Sequence, residues 1–411
     1  MSVEPITTPA ALERRGVEVV GYHDLDSRPA FKMGIQRHGD RWYLYLGHLW
    51  HSGWSIIDVT APARPRLCRF IAGPPHTWTI QMQVAGGVMV TALEQPVEGW
   101  GVEPGLPFEE GAYIWDVSHD PEDPLLLGQY RTGGTGTHRN FYAGGDLVYM
   151  TANPDGFVGG MLTIVDISDP ADPTEVSRWW WPGQHVAGGE TPEHGFYLHG
   201  PAYVLGDRAY LGYGRVGMVL LDVSDVREPR LVSRTSFGDL GSSLGCHSAV
   251  PLPGRDLVVV NSETILERAG DPLNYTFVID ISDESAPKVI STLPLPTPSA
   301  GLPYANYFEK GGRFGPHNQH HHQEHPDLAE LRDTVLMTYF NAGLRVFDLA
   351  DPYRPVEVGH FVPEDPRRRL GTLPTELVTQ FEDVLVDRRG YIYCTDKNHG
   401  LFILRLEPDP A

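Results

Sequence analysis

The sequence predicts an all-β fold, and three observations carry that expectation. Gly 45 and Pro 36 supply turn formers along all 411 residues. Long alanine- or leucine-rich helical windows are nearly absent, and short apolar runs recur at regular spacing between turn signals. The period of that recurrence then specifies the architecture.

One phrase occurs six times: "SIIDVTAPARP", "AYIWDVSHDPEDP", "LTIVDISDPADP", "VLLDVSDVREP", "FVIDISDESAP" and "RVFDLADPYRP". In each, an aspartate (Asp58, Asp116, Asp166, Asp222, Asp280, Asp348) ends a run of large apolar residues, and a proline follows seven or eight positions later. The run reads as a short buried strand, and Asp, Ser and Pro as the turn to the next. These aspartates are therefore expected to form turns, not to bind metal. Upstream of each phrase stands a hairpin turn leading into apolar and aromatic residues, as in "GDRWYLYL", "GGDLVYMT", "GDRAYLGY" and "RRGYIYCT", with a further strand before it. Four strands in about 50 to 60 residues make one propeller blade.

The seventh unit, "GYIYCTDKNHGLFILRLEPDPA", lacks its outer strand. Near the N-terminus "RRGVEVVGYHDL" matches "YRPVEVGHFVPED" of the sixth unit, so the chain start is expected to complete the chain end. The expected fold is a single seven-bladed β-propeller over residues 1–411, its last blade closed by an N-terminal outer strand at about residues 17–25. Such closure leaves no strand edge open between the termini. The phrases "IVDISDPADP" and "LLDVSD" resemble the LVIVD-repeat family of bacterial β-propellers, and the resemblance runs over nearly the whole chain. It implies the architecture without implying one chemistry.

A net charge of −21 argues against a nucleic-acid partner, and the basic cluster Arg367 to Arg369 reads as a solvated stretch. No apolar run approaches the ~20 residues of a membrane span. The start "MSVEPITTPAALERRG" lacks signal-peptide order, and three scattered cysteines (Cys68, Cys246, Cys394) give no disulfide framework. A cytoplasmic location is expected, with a small organic molecule as partner, no membrane, and room for a homo-oligomer.

Propeller topology assigns every loop to a face, and the long insertions and most histidines fall on one of them. His138 lies eight residues before Asp146, His199 eight before Asp207 and His247 nine before Asp256, each at the start of an innermost strand. Imidazoles converging there suit a divalent transition metal, Fe(II) first, with Cu, Zn or Mn as alternatives. "HNQHHH" reads as the innermost strand of the sixth blade, which gives His317 the same position. Alternation along that strand adds His321 as a second channel-side candidate; a bulge would bring in His320 instead. A second ring, seven residues after the hairpin position, holds Glu94, Asn153, Glu263 and, with one slip, Asp396. Glu94 and Glu263 are the candidates to orient the imidazoles or to transfer protons.

"GSSLG" around Ser243 lies in a blade connection rather than on a strand-to-helix elbow, and HExxH and paired CxxC motifs are missing. The expected function is a metal-dependent enzyme with one ion over the central channel, bound by His138, His199, His247 and His317. This plan is similar, in architecture only, to that of the carotenoid-cleaving dioxygenases, propellers with four histidines on iron and outer glutamates. An all-histidine site suits a divalent ion with positions open to dioxygen, so oxygenation or oxidative cleavage of a small organic substrate, with an aromatic one among the candidates, is the expected reaction. The insertions "EQPVEGWGVEPGLPFEEG" and "GLPYANYFEKGGRFG" are expected to roof the centre. Metal-assisted hydrolysis or lyase chemistry and a non-catalytic protein-binding scaffold are the rival readings.

Overall fold

The computed structural model describes residues 7–100, 105–238, 240, 242–268, 270, 274–322 and 324–407. Seven four-stranded antiparallel sheets stand as the blades of a propeller. Blades 1 to 5 run inside to outside in chain order; blade 3, for example, consists of Gly136–Phe141, Leu147–Asn153, Met161–Asp166 and Thr174–Trp179. Among the described residues no helix is long and apolar enough to cross a membrane.

The repeated aspartates end the third strands and shape the turns that follow. Asp58 accepts the N–H of Thr60 at 2.9 Å, Asp116 that of Ser118 at 2.7 Å, Asp166 that of Ser168 at 2.7 Å and Asp280 that of Ser282 at 2.8 Å. Each carboxylate thus substitutes for a backbone acceptor within a tight turn, which is why the residue recurs. Hydrogen bonds from Ser118 hold Asp116 down at about 2.

Between blades, branched side chains interleave from facing sheets. Leu336, Val346 and Phe361 of blade 6 pack with Val384, Ile392 and Phe402 of blade 7, all shielded from solvent. Lys32 of blade 1 and Asp383 of blade 7, both buried, meet at 2.8 Å and link the first blade to the last.

The ring closes as the repeat pattern predicts. Val17–His23 pairs antiparallel with Gly400–Leu406 as the outer strand of blade 7, Val17 opposite Leu406 and His23 opposite Leu401. The strand stops at His23, short of residue 25, because Leu25, Asp26 and Ser27 turn the chain with φ of 55°, 52° and 65°. A second closure is new: Ala11–Arg15 pairs with Val356–Pro363 on the outside of blade 6. "ALERR" has helical propensity, and it is strand only because an unpaired edge lies alongside.

Blade 6 has an inner segment as well. His317 N–H donates to Thr338 O at 2.9 Å, Thr338 N–H to Asn318 O at 2.9 Å and His320 N–H to Leu336 O at 3.0 Å, so "HNQH" lines the channel as expected. Removing residues 1–23 strips both outer strands and bares two sheet edges. Such a truncation is expected to lower the thermal midpoint by roughly 10 °C or more and to aggregate on size exclusion. An unchanged melt would show that closure contributes nothing.

Candidate metal centre

The innermost strands of blades 3, 5, 6 and 7 carry bulges at their upper ends, and each sets a candidate functional side chain out of register. In blade 3 the pairing jumps from Thr137–Ala152 to Arg139–Thr151, which sets His138 out of register. In blade 5 it jumps between Leu244 and Ser248 around His247, and in blade 7 between Phe381 and Asp383 around Glu382. In blade 6, His317 and Asn318 together oppose Thr338. A bulge re-aims a side chain without disturbing the ladder below. His199 stands just before Ala202–Leu205, its N–H reaching Gly212 O at 3.3 Å. A Cβ at Gly212 would meet His247 O at 2.3 Å and one at Gly200 at 1.9 Å, so both glycines permit blade 5 to approach this closely.

Four predicted histidines form one arc. Ring centroids are 4.4 Å apart for His138 and His199, 5.4 Å for His199 and His247, and 5.1 Å for His247 and His317. Glu263 lies inside the arc: its Oε2 is 3.3 Å from His199 Nε2 and 3.4 Å from His247 Nε2, and its Oε1 is 3.5 Å from His317 Nε2. The ligand atoms of His199, His247 and Glu263 all lie within 4.8 Å of one another. Bonds of about 2.0–2.2 Å from one ion place neighbouring donors about 3.0–3.5 Å apart, and the distances from Glu263 Oε2 to His199 and His247, 3.3 and 3.4 Å, fall in that range.

Hydrogen bonding leaves the inward atoms free. His138 Nδ1 is held by Glu94 Oε2 at 2.7 Å, and His247 Nδ1 by Ser248 Oγ at 2.6 Å. Their Nε2 atoms, and Glu263 Oε2, are buried without a hydrogen bond. Orphaned polar atoms of this kind are costly unless something binds them.

Burial, with His138 nearby, lowers His199 to about 4, and burial drives His247 and His317 well below the usual imidazole value. The three rings are therefore neutral at pH 7 and offer lone pairs. Glu263 is held well below the carboxylate range: burial opposes its ionisation, but His317, His247 and His199 outweigh that. Behind the arc, burial raises Glu382 against the pull of Lys397 and Arg313, and lowers Lys397 to about 8.

Several sequence expectations need correction. Glu263 is not an outer carboxylate; it sits among the imidazoles, so an all-histidine set does not describe the arrangement. His317 belongs to the arc, but Arg139 Nη2 stands 3.2 Å from its Nε2 and Glu382 Oε2 is 3.4 Å from its Nδ1. Arg139 thus competes for the lone pair that a metal would need. His321 lies elsewhere, its ring 4.8 Å from Tyr203 and 6.3 Å from Phe141. Four residues of extended chain carry it about 13 Å down the channel from His317, and the bulge shifts its side of the strand. His320 binds Ala329 O and accepts from Val386 N–H, and His325 meets Val84 O and accepts from Asp327 N–H. Asp396 accepts the N–H groups of Gln380, Asn398 and His399, so it shapes a loop.

Four charged groups escaped the sequence reading: Glu382, Arg139, Arg313 and Lys397. Arg313 Nη1 reaches Glu263 Oε1 at 3.2 Å, and Lys397 Nζ lies 3.2 Å from Glu382 Oε1. A signal for Glu382 did exist, since it lies eight residues before Gly390, the spacing that finds His138 and His199.

Beside the arc opens a cavity of about 300 Å³. Trp100 of the first long insertion lines it; residues 101–104 of that insertion lie outside the described residues. The second insertion contributes only Arg313, because Tyr307 and Phe314 pack into a core with Leu252 and Tyr339 instead of roofing the site.

Glu94 fixes the tautomer of His138, as outer carboxylates do for metal-binding imidazoles. Glu94→Gln is expected to weaken metal affinity by about 10- to 100-fold with the fold intact, read by titration with a chromophoric chelator. Unchanged affinity would remove His138 from the donor set.

Two segments, residues 156–179 and 270–293, match the LVIVD repeat. They cover the third strand, turn and outer strand of blades 3 and 5. No curated protein matches the sequence. Among solved structures the chain is similar to the β-propeller domain of Cps50 (Swd1) from Myceliophteria thermophila, with 12% identity, a TM-score of 0.53, and 92% of this chain and 99% of that chain covered. At that identity the likeness is one of fold alone.

Proposed function

We propose that this LVIVD-repeat propeller is a metal-dependent enzyme whose single ion is held by His199, His247 and Glu263, with His138 as a further donor. Its substrate is a small organic molecule in the adjoining cavity. The observation that carries the reading is the convergence of three ligand atoms within 4.8 Å, two of them buried and without a hydrogen bond. Two imidazoles and one carboxylate are the donor set that non-haem Fe(II) oxygenases use, which favours oxygenation or oxidative cleavage. When bound, such an ion would supply redox chemistry and open positions for dioxygen.

The chain's own residues have definite parts. Glu263 brings one negative charge to a divalent ion, and Glu94 holds the His138 ring through Nδ1. Phe31, Leu49 and Trp78 exclude water from one side of the cavity. Elemental analysis of untagged protein tests the reading. About one equivalent of iron, copper or manganese supports it; zinc points to hydrolytic or lyase chemistry with Glu94 as base. A folded, metal-free protein that cannot be loaded would favour the non-catalytic scaffold.

A further inference from the structure

Two chemically different sets of residues line the cavity, and they touch where Arg313 lies over the Trp100 ring at 5.3 Å. Phe31, Leu49, Trp78 and Ile80 form a small hydrophobic cluster with Trp100 packed against it. Trp78 and Trp100 meet edge to face at 5.8 Å. The second set is charged. Arg139, 2% exposed, donates from Nη1 to Asn318 Oδ1 at 2.6 Å, while its Nε has no hydrogen-bond partner. Arg313, 3% exposed, lines the same space.

Formal charge identifies what is missing. Three cationic side chains, Arg139, Arg313 and Lys397, stand among three carboxylate side chains, Glu94, Glu263 and Glu382, so their formal charges cancel before any ion is counted. A divalent ion then leaves two positive charges uncompensated among largely buried side chains, where unpaired charge costs more than in water. An anionic ligand restores part of the balance, and a guanidinium binds a carboxylate more strongly than a neutral oxygen. The volume of about 300 Å³ is that of about ten waters.

We infer that the cavity takes an apolar monocarboxylate of about ten non-hydrogen atoms, an arylacetate in shape, its carboxylate at Arg139 and its ring against Trp78 and Trp100. The inference rests on the metal reading for the uncompensated charge; the orphan donor and the apolar wall stand without it.

Calorimetric titration of the full chain with phenylacetate, phenylacetamide and acetate tests this, with metal content measured on the same samples. Phenylacetate is expected to bind about tenfold or more tighter than either competitor. Arg139→Gln is expected to abolish the preference for the acid over the amide, and Trp78→Ala to weaken both aromatic ligands. The wild-type comparison needs no variant, so a misfolded Arg139→Gln protein leaves the test intact. Amide and acid binding equally, acetate matching phenylacetate, or no binding at millimolar ligand would each overturn the inference. Protein that cannot be loaded with metal and still prefers the acid supports it while retiring the metal reading. Metal-bearing protein indifferent to charge does the reverse.

Discussion

His247→Ala is expected to lower metal affinity by more than roughly 100-fold, beyond what loss of an outer partner costs. His247 is fully buried, its Nδ1 is committed to Ser248, and its Nε2 faces Glu263 Oε2 at 3.4 Å. Glu263→Gln is expected to act in the same direction, because the amide keeps the shape but loses the charge that offsets a divalent ion and pairs with Arg313. His321→Ala is the control: the residue comes from the same histidine-rich run as His317, yet its ring packs on Tyr203. Metal content by mass spectrometry should fall in the first two variants and hold in the third. Loss in all three, or in none, would detach the ion from this arc.

Asp383→Ala is expected to destabilise the fold by about 3–5 kcal/mol, the range for removing one partner of a buried ion pair. Asp383 receives Lys32 Nζ at 2.8 Å and the N–H of Met33 at 3.0 Å, and neither charged side chain has appreciable contact with solvent. Alanine leaves an ammonium stranded between blades 1 and 7, where the ring closes. The double replacement Lys32→Met with Asp383→Leu is expected to recover most of the loss, since apolar groups of similar volume need no partner. Urea unfolding measures both. A cost below about 1 kcal/mol for the single variant would mean that water reaches Lys32.

Much of the candidate site was legible through register. Counting eight residues back from Asp40, Gly87, Asp146, Asp207 and Gly390 lands on Lys32, Thr79, His138, His199 and Glu382. Three of those five belong to the arc or stand directly behind it, and Lys32 joins the ion pair at the ring closure. The same logic carried Glu94 to His138. It misplaced Glu263 because the count says which end of a strand a residue occupies, while the bulge beside His247 decides how far its partners lean inward. Arg139, Arg313 and Lys397 are single cations without a repeat partner, and their role depends on neighbours from other blades.

The sequence by itself determined the number of blades, the aspartate turns and the joining of the two ends, because each depends on short-range pattern repeated along one chain. Tertiary structure alone decided which side chains share the axis. Residues as distant as Arg139 and His317 meet there, and their relative placement is set by bulges, glycine contacts and buried charge that no local spacing encodes. The same physics made "ALERR" a strand: an open sheet edge outweighs intrinsic helix propensity when pairing satisfies the backbone.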